Sequence, residues 1–295
     1  MERGKLLIIL AGCLWGCMGI FVRTLNGWGL GTFEIVALRA AVTAVLTGGI
    51  LGIFKPKLLK IRLKDVWCFL GTGICSIVFF NYCYFKSIVM TSLPVAAVLL
   101  YTAPAMVVVM SALLFREKIT PEKIFSLVLV FVGCVLVAGI VGNGAPLTPA
   151  GLLIGLGAGF GYALYSIFGR YALERGYHSL TILFYTFLFA SLGVLPFADF
   201  GKVWDVMAMG AGQTAFSLAF GLFSTVVPYF VYNLGLTSVE NGTASILASV
   251  EPAVASFIGI VIFGERVDLW QLAGMILVFA SIVVCSGKKV RTVET

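Results

Sequence analysis

Glu251 is the residue of this chain best suited to chemistry. It lies near the middle of the apolar stretch 241–263, which is long enough to cross a bilayer, and Pro252 follows it. A charge at that depth costs at least about 2.5 kcal/mol on insertion scales, so the carboxylate must face the protein interior, be protonated or be paired. Pro252 removes one helix hydrogen bond and frees a carbonyl about four residues back, so a polar surface is expected beside the acid. Such a group can balance a cationic ligand, carry a proton, or join two helices as a packing or gating pair. Arg39 is a second charge inside an apolar stretch. It could pair with Glu34, a turn and a half earlier, face water, or contact a ligand. Glu34 itself opens its helix, where the macrodipole favours a carboxylate.

Aromatic and amide side chains supply the rest of a candidate substrate-binding wall. Asn81 and Tyr84 stand at i, i+3, as do Tyr229 and Tyr232, so each pair shares a helix face. Trp15, Tyr101, Tyr162 and Tyr165 extend the same wall. A tyrosine hydroxyl or asparagine amide in hydrocarbon wants a partner and turns toward the protein interior or a wet cavity. The alternatives are hydrogen bonds between helices and an interfacial aromatic belt.

No catalytic set, cofactor site or metal site accompanies them. The chain has no P-loop and no Ser or Cys placed with a histidine, since His178 is the single histidine. Gly155-Leu-Gly157-Ala-Gly159 lacks the dinucleotide spacing and follows no strand. Its glycines, with Gly151, Gly161 and the pair Gly12 and Gly16, keep small-xxx-small spacing suited to close helix packing. The seven cysteines include no C-x-x-C pair and read as small packing residues. Glu117 and Glu265 end helices in basic loops and read as loop ion pairs.

The elements that must position these residues are membrane helices. With 60% hydrophobic and 11% charged residues, the chain departs from globular domains, where about a quarter are charged. Ten apolar runs are expected as helices, at 5–25, 32–54, 65–87, 91–114, 121–141, 149–173, 179–199, 211–234, 241–263 and 268–287. Leu10-Ala11-Gly12-Cys13 is like a lipoprotein cleavage box, but the apolar run ahead of it is too short for a signal h-region, so an uncleaved first helix is expected. The formal charge of +7 sits in short loops and forms no basic stripe, which argues against nucleic acid as a partner. With the N-terminus inside, about fifteen of the twenty basic residues face the cytoplasm, including Lys55 to Lys64 and Lys288 to Arg291. Both termini are then cytoplasmic, in a cell (inner or plasma) membrane.

The chain also repeats itself. Tyr84 to Gly139 aligns without gaps on Tyr232 to Gly287, an offset of 148 that lays Pro104-Ala105 on Pro252-Ala253 and Phe115-x-Glu117 on Phe263-x-Glu265. Five helices per half, 1–143 and 144–295, force the second half to enter the membrane upside down. Inverted repeats of this kind bind a small-molecule substrate near midplane and work by alternating access.

The ten helices in two halves, the Leu14-Trp15-Gly16 opening, the Pro104 and Pro252 helices and the echo of Phe115-Arg116-Glu117-Lys118 in Phe263-Gly264-Glu265-Arg266 together resemble the EamA-type branch of the drug/metabolite transporter superfamily. That resemblance implies a secondary transporter of a small organic metabolite such as an amino acid, acting as an exporter, with helices 5 and 10 peripheral. An organic cation held in an aromatic cage against Glu251 is the alternative cargo. Proton coupling and a homodimer stay open, and a membrane-embedded enzyme or receptor fits less well, since the chain offers one midplane acid and no soluble ligand domain.

Overall fold

The computed structural model describes residues 2–139, 148–265 and 268–287. The boundary between the halves at Asn143-Gly144, together with Arg266 and the basic tail Lys288, Lys289 and Arg291, lies outside them. Every regular element among the described residues is helical, as a bilayer demands of a backbone that has no water to bond. The first half comprises α1 (Arg3–Gly16), α2 (Met18–Gly27), α3 (Thr32–Phe54), α4 (Val66–Leu70), α5 (Phe79–Met90), α6 (Leu93–Leu100), α7 (Ala103–Phe115) and α8 (Pro121–Val137). The second comprises α9 (Pro149–Glu174), α10 (Ser179–Val194), α11 (Phe200–Ala208), α12 (Ala211–Gly221), α13 (Val227–Leu236), α14 (Asn241–Ala248), α15 (Glu251–Phe263) and α16 (Leu269–Ser286).

Helix interruptions repeat with the sequence. α6 and α14, like α7 and α15, share both boundaries under the 148 offset. Pro104 and Pro252 fall in the first turn of α7 and α15, where a missing N–H breaks no intrahelical bond. Both helices end on a left-handed residue, Arg116 at φ 57° and Gly264 at φ 65°. Thr120 and Asp268, again 148 apart, cap α8 and α16 through their side chains. A π-helical stretch joins α4 to α5 (Gly71–Val78) and another joins α12 to α13 (Leu222–Val226), and the two end at equivalent positions.

Equivalent helices run in opposite directions. On α8 and α16, Ser126 Oγ donates to Ser281 O at 3.2 Å, while Gly133 lies against Gly274 so closely that a Cβ on Gly274 would fall 2.6 Å from Gly133 O. Advancing along one helix retreats along the other, so they are antiparallel. The same holds for α3 and α10, where Gly48 meets Phe184 and Ala37 packs with Val194. A duplication whose matching helices oppose each other is related by an axis perpendicular to those helices.

Eight helical stretches are long and apolar enough to cross a membrane. The expected runs 121–141 and 179–199 fold as α8 and α10, of 17 and 16 residues. That is about 24–26 Å of helix against a hydrocarbon core of about 30 Å. The ten-helix count therefore stands as an expectation, with eight stretches among the described residues long and apolar enough to cross. Counting apolar runs also missed α11, whose first turn is capped by Asp199 accepting from Gly201 and Lys202 N–H groups. At one end of the bundle, Asp65 is buried and accepts from Arg62 Nε at 2.6 Å and Tyr177 Oη at 2.8 Å, with Arg175 Nε at 3.2 Å. This cluster ties the 55–65 loop to the connection after α9.

Candidate functional site

Small residues bring α1 against the break between α14 and α15. A Cβ on Gly12 would fall 2.6 Å from Ala248 O, and one on Gly16 2.8 Å from Glu251 O. That approach sets Trp15 against the second half, with its ring 5.0 Å from Tyr229 and 5.3 Å from Tyr232. Tyr165 stacks edge-on to Tyr229 at 4.9 Å, and Tyr162 to Phe80 at 5.6 Å. Glycines on α9 make room from the other side: Gly161 lies against the Phe80 backbone, and Gly159 against Leu99 O.

These side chains enclose a cavity on the seam. Seven lining residues come from each half: Trp15, Ser76, Ile77, Phe80, Ala103, Pro104 and Val107 from the first, and Tyr162, Tyr165, Ser166, Tyr229, Tyr232, Ser245 and Ala248 from the second. A second lobe shares Tyr162 and Pro104 with it and adds Tyr101, Ser249 and Glu251. The lobes leave about 20 and 10 Å³ for the centres of water-sized spheres, room for a water or two and not for a metabolite.

Glu251 lies near the middle of the 241–263 span, as expected, and is there the first residue of α15. The chain breaks its α-helix at Ser249 and Val250, so the carboxylate stands at a half-helix N-terminus, where free N–H groups and the macrodipole stabilise an anion. Tyr162 Oη donates to Glu251 Oε2 at 3.4 Å. Tyr165 Oη accepts from Asn233 Nδ2 at 2.8 Å, and the Tyr232 hydroxyl bonds Ser166 Oγ at 2.8 Å. Trp15 Nε1 and Ser76 Oγ are buried with no hydrogen-bond partner among the described residues. A ligand that accepts hydrogen bonds at the first lobe and carries positive charge at the second would satisfy both ends.

Of the residues expected to form the wall, Trp15, Tyr101, Tyr162, Tyr165, Tyr229, Tyr232 and Glu251 line one lobe or the other. Asn81 and Tyr84 line neither. The Asn81 amide turns back on its own helix and donates to Ile77 O at 2.7 Å, and Tyr84 packs on Phe80 and Phe85. The first half thus offers Ser76, Ile77 and Phe80, just ahead of that pair, where the second offers Tyr229 and Tyr232. Arg39 is buried, and its Nη1 lies 3.5 Å from Met18 Sδ. It lines neither lobe, and its expected partner Glu34 accepts instead from Asp199 N–H at 3.2 Å. Ser76 and Ser245 carried no signal in the sequence, being serines in long apolar runs. The π-helical stretch that turns Ser76 inward has no residue signature.

Comparison with known proteins gives this arrangement a family. The profile described as "EamA-like transporter family" matches residues 2–139 and again 149–287. The chain is 28% identical to the uncharacterized transporter YxxF of Bacillus subtilis, over 92% of this chain and 86% of that one. It is 29% identical to an uncharacterized transporter of Archaeoglobus fulgidus over 96% of each. The threonine/homoserine exporter RhtA of Escherichia coli K12 is 26% identical over 85% of this chain and 81% of its own. A solved crystal structure shares the fold with a TM-score of 0.79 at 16% identity, covering 95% of both chains. Matched over both halves, the chain belongs to the EamA-like transporter family and is a multi-pass membrane transporter of the drug/metabolite type.

Proposed function

We propose that this transporter exports a small organic metabolite, an amino acid by first preference, by alternating access across ten membrane crossings. One observation carries the reading: a cavity built from seven residues of each half, with a carboxylate at a half-helix N-terminus beside it. Interrupted helices meeting at a repeat interface are the arrangement by which transporters hold a polar cargo in a membrane. The antiparallel run of α8 against α16 supports an inverted pair, 1–143 and 144–295. The similarity to RhtA, named as a threonine/homoserine exporter, supports the cargo class and direction. Trp15, Tyr101, Tyr162, Tyr165, Tyr229, Tyr232 and Glu251 are its binding residues, and Glu251 is where a proton or a cargo ammonium is held. The six aromatic side chains around the first lobe also favour an organic cation, since aromatic faces attract cations.

Purified protein in liposomes should accelerate flux of at least one small amino acid, with quaternary amines as competitors that separate the two cargo readings. Flux of neither class sinks both. Orientation has its own test. Cysteines placed at Lys60 and Lys202 should label from opposite faces, Lys60 from the cytoplasm, as the basic 55–64 loop requires. Labelling from the same face refutes the inverted topology.

A further inference from the structure

Glu117 is ion-paired, as expected, but with more partners than a loop pair needs. Its carboxylate reaches across the seam and accepts from two backbone N–H groups at the start of α14, Asn241 at 2.7 Å and Gly242 at 3.0 Å. Lys123 Nζ lies 3.7 Å from Glu117 Oε2 and donates to Glu240 Oε2 at 2.7 Å and to Lys118 O at 3.0 Å. The Glu117 and Lys123 side chains are 8% and 6% exposed, so each charge depends on these partners, and losing one strands another in an apolar setting. Gly242 eases the approach, since a Cβ there would sit 3.1 Å from Val108 Cγ2 and 3.3 Å from Glu117 Oε2.

From this cluster a chain of hydrogen bonds leads to the cavity. Asn241 Nδ2 donates to Ser166 O at 3.1 Å, Ser166 Oγ bonds the Tyr232 hydroxyl at 2.8 Å, and Ser166 and Tyr232 both line the first lobe. A cargo pressing on Tyr232 thus acts on the residue that Glu117 holds.

The opposite end of the molecule cannot copy this device. Under the 148 offset, Glu117 becomes Glu265, but Lys123 becomes Gln271, Glu240 becomes Ser92, and Gly242 becomes Pro94, which has no N–H to give. Gln271 is used in capping its own helix. Glu265 pairs instead with Arg23, with side chains 53% and 46% exposed, and exposed pairs contribute little.

We propose that Glu117 and Lys123 are positioning residues of the transport cycle: a buried latch between α7, α8 and α14 that closes the cytoplasmic mouth, so that the outer mouth is the easier to open. The proposal rests on the alternating-access reading and its topology. The test is the reaction of a Ser76→Cys cavity reporter with a membrane-impermeant maleimide in vesicles of either orientation, measured against the parent chain with its native cysteines. Glu117→Gln, and separately Lys123→Met, should raise labelling from the cytoplasmic face about tenfold and lower it from the outer face, the reciprocal change of a shifted population. Lys123→Arg, which keeps the charge, and Arg23→Gln, which removes only an exposed pair, should both stay near the parent. Labelling unchanged from both faces, or raised equally from both, overturns the latch, since simple loosening has no sidedness. Because the readout is accessibility, the two readings fail separately. A variant that opens inward in a protein that moves no tested cargo keeps the latch and sinks transport, whereas measured flux with unchanged labelling sinks the latch alone.

Discussion

Glu251→Gln protein is expected to fold, to melt within a few degrees of the parent, and to lose about 10- to 100-fold in cargo flux. Glutamine preserves size and can still accept from Tyr162, so packing is kept while the charge is removed. The magnitude follows from hydrogen bonds to charged groups, worth about 1.5–3 kcal/mol where one partner is ionised. Two patterns separate the roles. If Glu251 carries a proton, the variant should still bind cargo but its flux should ignore an imposed pH gradient. If it balances a cationic end, affinity for cargo bearing an ammonium should fall while binding of neutral analogues is spared. Tyr162→Phe, which removes a side-chain donor to this carboxylate, should give the same pattern with a smaller effect. Parental flux with unaltered pH dependence would leave Glu251 only a packing role at the helix break.

Gly274→Ala is expected to lower stability by about 2 kcal/mol, read from unfolding in detergent. Its new Cβ would meet Gly133 O at 2.6 Å, Leu136 Cβ at 2.8 Å and Val137 N at 2.8 Å. Two of these are backbone atoms that cannot rotate away, so α8 and α16 must separate along their contact. Gly52→Ala is the matched comparison, since nothing lies within 4 Å of a Cβ there. Helix propensity alone favours alanine by up to about 1 kcal/mol, so Gly52→Ala should be neutral or stabilising. If both substitutions behave alike, the α8 and α16 contact contributes no specificity.

What could be read in advance follows physical lines. Long apolar runs have one stable fate in a bilayer, so α3, α9 and the α1–α2 pair fall close to their expected bounds. Pro252 announced a lost helix hydrogen bond, because a missing N–H is written in the residue type, though not that α15 would start at Glu251. The π-helical stretches were not legible, and they decide which side chains face the seam: Ser76 and Phe80 line the cavity, whereas Asn81 and Tyr84 do not. Glu117 was read only in part, as an ion pair, for a different reason. Its partners lie 124 and 125 positions away, and nothing in a loop sequence says which other loop it meets. The asymmetry between Gly242 and Pro94 was visible, but it gains meaning only once the Glu117 contact is known.

The antiparallel contact of α8 with α16 has a consequence for biogenesis. α8 leaves the ribosome early, while the helix that covers Ser126 and Gly133 is made much later. About 130 residues separate Val137 from Leu269, so at ordinary translation rates α8 waits roughly 7 to 26 seconds for its mate. During that interval its small-residue stripe is open to any other helix in the bilayer, including α8 of a neighbouring nascent chain. Chains arrested before Leu269 should therefore be removed by membrane proteases much faster than chains that carry α16, however well their earlier helices have inserted.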